Sequence, residues 1–313
     1  MVERDTTLPT MAAESKRLVI LALIANVGIA ITKFGAAAIS GSSAMLSEGI
    51  HSLADSANQL FLLRGHAASR YDASVQHPYG RGMEIYFWSF MVAVFLFVGG
   101  SVLSIVMGVD KIRHPHGHGG EGFWLSMGVL VIAALFEGLI AFRPALKQFN
   151  KQRAGRTITK TVKESKDPSL LVVLFEDSAA IVGLFIAAVG LTAAYLTENA
   201  LWDGIASVLI GLLLAGVAFI LAIEMKSLLI GESATREERA KIRTAALSVG
   251  EVKTVDRLLT MQLAPDEILV TMDLDFDEGI GGDDIESAIV EIEQRISEAV
   301  PSATRIFIEP VDR

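Results

Sequence analysis

Apolar residues gather into six runs, each long enough to cross a hydrocarbon core of ~30 Å at ~1.5 Å per helical residue. The runs cover approximately Leu18–Ile39, Ser43–Leu63, Glu84–Val109, Phe123–Phe142, Leu170–Leu196 and Leu201–Leu228. After Leu229 the pattern becomes that of a soluble, acidic segment. Arg236–Val249 reads as a short amphipathic helix and Val255–Leu263 as a strand. Ile268–Phe276 alternates Ile268, Val270, Met272, Leu274 and Phe276 with Leu269, Thr271, Asp273 and Asp275, the period of a half-buried strand. Asp283 and Asp284 are N-cap candidates for a helix that buries Ile285, Ile289, Ile292, Ile296 and Val300, and Thr304–Glu309 closes as a last strand. The predicted architecture is an all-α six-helix transmembrane bundle followed by an α-β-β-α-β domain of the ferredoxin-like kind, with both helices on one face of a three-stranded sheet. Its expected parts are an N-terminal segment 1–16, a membrane domain 17–230 and a C-terminal domain 231–313.

Composition agrees with a membrane protein: 51% of the 313 residues are hydrophobic and 20% are charged. Basic residues are segregated. The second connection carries Arg64, Arg70 and Arg81, and the fourth carries Arg143, Lys147, Lys151, Arg153, Arg156, Lys160, Lys163 and Lys166. The first and fifth connections have no Lys or Arg, and the third has only Lys111 and Arg113. The positive-inside rule therefore places both termini and the basic connections in the cytoplasm, in a multi-pass protein of the bacterial inner membrane. The polar N-terminus has no apolar core followed by a cleavage site, so no removable signal peptide is expected. With no cysteine, disulfides and thiolate metal sites are excluded.

Candidate chemistry sits in the second run, which carries Glu48, His51, Asp55 and Asn58 at helical offsets of three, four and three. An ionisable side chain in a bilayer costs at least ~2.5–3.5 kcal/mol, so three on one stripe need a purpose. A polar seam between helices would be met by one Ser or Asn. Histidine and carboxylate at i, i+4 are instead natural ligands for a divalent transition metal.

Three further passages join this one: HPYGRGMEIYFWSF (His77–Phe90), FEDSAAIVG in the fifth run and WDGIASVLIGLLL in the sixth. In their order, and with six spans and a small acidic tail, they resemble the cation diffusion facilitator family of divalent-metal/proton antiporters. The order HSLADSANQL, HPYGRG, YFWSF, FEDSAA is most similar to the branch of the ninth mammalian zinc transporter. The resemblance implies a tetrahedral transport site of i, i+4 pairs on the second and fifth spans, matched here by His51 and Asp55 and by Asp177. The family's partner four residues before that carboxylate, usually His or Asp, is Val173 here. Glu48 and Glu176 are the available replacements, with Glu48 preferred because Glu176 points about 100° away from Asp177 on a regular helix. Asn26 and Asn58 are candidates for neutral oxygens or supporting hydrogen bonds.

Of the family's other metal sites, the one in the second connection would retain His77, but Ser74 and Arg81 stand at ligand positions, with Asp72 and His66 nearby. His77 is expected to order the HPYG turn instead. The tail has no His, so Asp273, Asp275, Asp277, Asp283 and Asp284 read as a solvated acidic face. The run HPHGHGG (His114–Gly120) reads as a loop with incidental metal affinity. Glu137, midway along the fourth span, is either a proton-path residue or a partner for a neighbouring polar group.

These features imply a homodimeric secondary antiporter in the lipid bilayer, with no tightly bound cofactor, that exports a divalent metal in exchange for H⁺. The metal is Zn²⁺ first on family grounds, with Fe²⁺, Mn²⁺, Co²⁺ and Cd²⁺ as alternatives. The rival reading is a metal-sensing or scaffolding membrane protein with a vestigial site, motivated by Val173. No nucleophile–base constellation or phosphate loop points to an enzyme, and topology accounts for the basic connection without nucleic acid.

Overall fold

The computed structural model describes residues 23, 26–114, 122–153 and 155–311. The expected segment 1–16, most of the first run before Asn26, and residues 115–120 of the His–Gly run lie outside the described residues. Helix α1 (Asn26–Ser40) is followed by α2 (Ser43–Ser69), α3 (Glu84–Arg113) and α4 (Phe123–Lys151). A short α5 (Ile158–Glu164) precedes α6 (Pro168–Thr197) and α7 (Leu201–Leu229). Among the described residues α3, α4, α6 and α7 are long and apolar enough to cross a membrane, four of the six spans expected. With 27 residues α2 has the length, but its polar stripe keeps it out of that apolar class.

The chain divides into two compact units. The first gathers most of the membrane helices, taking the described residues within 1–63, 90–155 and 169–222. Its packing explains the WDGIASVLIGLLL stretch. A Cβ on Gly108 of α3 would lie 2.7 Å from the carbonyl oxygen of Gly204, and one on Gly211 would lie 2.9 Å from that of Ser101. Side chains there would drive α3 and α7 apart, so small residues set their crossing. Ser207 Oγ donates to Ser104 O (2.9 Å) and meets Ser47 Oγ at 2.6 Å, tying α7 to both α3 and α2. Asp203 accepts from the backbone N–H of Ser43 (2.6 Å) and Ala44 (3.3 Å), capping α2 from the first turn of α7.

The second unit holds residues 64–89, 156–168 and 223–313. Its last part is α8 (Arg236–Leu247), β1 (Val252–Ala264), β2 (Glu267–Phe276), α9 (Gly282–Ala299) and β3 (Ala303–Val311), the predicted α-β-β-α-β order. β1 and β2 pair antiparallel, and β2 and β3 pair parallel. The parallel pair is bridged by α9, since a parallel connection needs a crossover. Ile242 and Ala246 of α8, Ile268 to Leu274 at alternate positions of β2, and Ile292 and Ile296 of α9 share one core. Ile285 and Ile289 pack against it only partly buried, and Ala288 takes the inner position between them.

Two tail expectations are corrected. Gly281, not Asp283 or Asp284, caps α9; Asp284 sits in the first turn and its Oδ2 accepts from the Gly281 N–H at 3.3 Å. The acidic face of β2 is not simply solvated. Asp273 pairs with Arg257 (2.9 Å) and the buried Asp275 with Lys253 (3.4 Å).

Candidate functional site

Neighbouring helices sort the stripe of α2 into three environments. At its start, Glu48 is fully buried and bonded to Lys33 of α1, whose ammonium lies 3.2 Å from Glu48 Oε2. The same ammonium donates to Ser52 Oγ (2.8 Å) and to Glu137 Oε1 of α4 (3.0 Å). Glu137 opens a π-helical turn, Glu137–Phe142, a widening common where a helix serves a site. One turn along α2, His51 is 1% exposed, its Nδ1 3.4 Å from Asp55 Oδ1 without hydrogen-bond alignment. Further on, Asn58 Nδ2 donates to Glu176 Oε1 of α6 at 3.2 Å.

Between these groups lies a cavity of about 230 Å³ among α1, α2, α4 and α6. Asp55, Glu137, Glu176 and Asp177 line it with Asn26, Ser52, Gln59 and Val173. Asp55 Oδ1, Asp177 Oδ2, Gln59 Oε1 and both ring nitrogens of His51 are buried and have no hydrogen-bond partner among the described residues. Buried polar atoms are ordinarily paired, so these are donor atoms held for something else. Oxygen from carboxylate and amide, with imidazole behind Asp55, is a donor set for a divalent metal as substrate. Among the described residues no three His, Cys, Asp or Glu side chains are grouped closely enough to hold an ion as they stand. An ion could be held there only with these side chains turned further into the cavity.

This geometry revises the ranking of replacements for Val173. Glu48 is taken by Lys33 and does not line the cavity, whereas Glu176 lines it together with Asp177, although adjacent residues diverge on a helix. Asn26 faces the cavity and Asn58 holds Glu176. Glu137 is a partner for a polar group, namely Lys33. Lys33, Ser52 and Gln59 were missed by sequence reasoning. Lys33 stands alone inside an apolar run and was findable as the only Lys or Arg there, while Ser52 and Gln59 carry no charge and blend into the helix.

In the second unit the backbone of His77 orders its turn, its N–H donating to Ser74 O (3.1 Å) and its carbonyl accepting from Gly80 N–H (2.9 Å). Arg81 stacks over Tyr71, 5.7 Å from the ring centroid, and Asp72 is exposed. At the described start of the His–Gly run, His114 Nδ1 lies 3.2 Å from Asp110 Oδ1, both exposed.

Residues 19–230 match the cation efflux transmembrane domain family and residues 234–310 the cation efflux protein cytoplasmic domain family. The chain is 34% identical to metal tolerance protein C4 of Arabidopsis thaliana over 235 residues, 73% of this chain and 50% of that protein. It is 30% identical to the human mitochondrial proton-coupled zinc antiporter SLC30A9 over 264 residues, 83% of this chain and 46% of that protein. It is 23% identical to the manganese efflux system protein MneP of Bacillus subtilis over 270 residues, covering 84% and 85% of the two chains. The chain thus spans about half the length of the first two relatives.

Proposed function

The chain belongs to the cation efflux family, and from that premise we propose that it exports a divalent transition metal from the cytoplasm in exchange for protons. The observation that carries this reading is the cavity lined by Asp55, Glu176 and Asp177, in which Asp55 Oδ1 and Asp177 Oδ2 are buried and unpaired among the described residues. These three carboxylates would bind the metal, with His51 turning in as the nitrogen donor. Metal binds the ionised carboxylates and the neutral imidazole, so binding expels protons and protonation expels metal. Affinity then rises with pH, and an acidic far side favours release. Oxygen outnumbers nitrogen in this set, so Mn²⁺ and Fe²⁺ are accommodated beside Zn²⁺. The names of the relatives, one a zinc antiporter and one a manganese efflux protein, support Zn²⁺ and Mn²⁺ among these three.

The first two spans complete a six-helix bundle in this reading, the termini face the cytoplasm, and the C-terminal domain joins two copies of the chain in a bacterial inner membrane. The rival reading, a metal-sensing role, rests on Val173 standing where the family has a ligand. Uptake into proteoliposomes with an imposed pH gradient separates the two. An antiporter accumulates Zn²⁺ or Mn²⁺ against its gradient and stops when the pH difference collapses. A sensor binds metal without flux.

A further inference from the structure

Lys33 is a full cation in a wall of the membrane unit, buried completely and shared by two carboxylates on different helices. An ammonium has three protons to donate, and here three acceptors receive them: Glu48 Oε2, Ser52 Oγ and Glu137 Oε1, at 3.2, 2.8 and 3.0 Å. Its own bonding is therefore complete, but that of its partners is not. Glu48 Oε1 and Glu137 Oε2 are buried and without a hydrogen-bond partner among the described residues. Two carboxylates and a hydroxyl around one point are the oxygen donors of a divalent-cation site, and they outnumber the single charge that fills it. The fold also makes room for this group. A Cβ on Gly183 of α6 would lie only 2.5 Å from Glu48 Oε1, so glycine there lets the carboxylate reach its place.

We propose that Lys33 is a tethered cation occupying a second divalent-metal site, so that the protein carries one ion where its carboxylates could hold two. This rests on the transport reading above and sharpens it. Asp55, Glu176 and Asp177 are left to the moving ion, and Glu48 and Glu137 are withheld from it by a charge that cannot leave. Lys33 is then a specificity-determining residue. It fixes the number of ions bound and keeps two further oxygen ligands out of the first ion's shell.

The test counts Zn²⁺ and Mn²⁺ bound per chain by equilibrium dialysis of the purified full chain in lipid nanodiscs. Wild type is expected to hold one ion, Lys33→Met two, and Lys33→Met/Glu48→Gln/Glu137→Gln one again. Lys33→Met remaining at one ion overturns the proposal. So does a triple variant that binds none, since Glu48 or Glu137 would then be a ligand of the transported ion. If Lys33→Met strands two carboxylates and fails to fold, the triple variant, in which no charge is stranded, decides by that same criterion. Asp55→Asn/Asp177→Asn reports separately on the underlying site. Retention of one ion there sinks the transport-site reading, whereas the difference between wild type and Lys33→Met still judges Lys33.

Discussion

The acidic groups of the membrane unit and those of the C-terminal sheet are treated in opposite ways. On the sheet, Asp273 meets Arg257, Asp275 meets Lys253 and Glu267 meets Arg305, each within 3.4 Å on a neighbouring strand. The acids of these pairs are mostly covered, 10–23% exposed, but the bases that meet them are open to water, so solvent reaches each pair through its Lys or Arg. In the cavity, where an unpaired oxygen costs most, Asp55 and Asp177 each keep a buried oxygen unpartnered among the described residues. Stability alone would produce the reverse arrangement. In the proposed reading Asp55 and Asp177 are held open for a cation from outside, while Asp273, Asp275 and Glu267 of the tail are already paired.

The largest effect comes from removing the cavity charges. Asp55→Ala and Asp177→Ala are each expected to reduce proton-driven metal uptake to the level of empty liposomes, a loss of at least about a hundredfold or ~2.7 kcal/mol, while dimers persist in cross-linking. Wild-type flux in either folded variant would remove that residue from the site. In the tail the expected loss is of stability rather than transport. Ile292 is fully buried between α9 and the sheet, so Ile292→Ala should destabilise this domain by about 2–5 kcal/mol. Hydrogen exchange of β2 amides in the full chain reads that loss, and unchanged protection would show that the core can close around the gap.

Much of this contrast was legible in the sequence, because it rests on period and charge. The stripe on α2 and the alternation of β2 both follow from backbone geometry, so the helix, the strand and their buried faces could be read directly. What could not be read is which neighbour each polar side chain meets. Glu48 and Asp55 share a stripe, yet one bonds to Lys33 and the other lines the cavity, a difference set by side chains of neighbouring helices and not by α2 itself. The regular angle between adjacent residues sets Glu176 apart from Asp177, but a cavity wide enough to be lined by four helices admits both. Asp203 was visible as part of a motif; that it caps α2 depends on a crossing of helices far apart in the chain.

A change that adds rather than removes a ligand sharpens the comparison further. Val173 lines the cavity one helical turn before Asp177, on the same face. Val173→His should therefore place an imidazole among the carboxylates and favour Zn²⁺ over Mn²⁺ by about ten- to thirtyfold, or ~1–2 kcal/mol. Competition between the two ions for uptake in the same liposomes measures the ratio. Turnover is expected to fall as affinity rises, since release slows. A ratio that stays put would mean that the residue at this position does not approach the ion.

The smallest effect belongs to the sheet. Arg257 Nε lies 2.9 Å from Asp273 Oδ2, but the Arg257 side chain is 58% exposed, so water and salt screen the pair. Arg257→Met keeps most of the aliphatic stem and removes the charge; it should cost at most about 1 kcal/mol, and less in high salt. Asp273 is itself only 15% exposed, and the cost stays low because solvent already reaches the pair on its Arg257 side. Hydrogen exchange across β1 and β2 at low and high ionic strength gives the number. The variant should also leave the tail without tight Zn²⁺ binding, because a single freed carboxylate beside no histidine offers too few ligands. A loss above ~2 kcal/mol that salt does not diminish, or a submicromolar metal site appearing in the tail, would place Asp273 with the cavity carboxylates and end the distinction between the two regions.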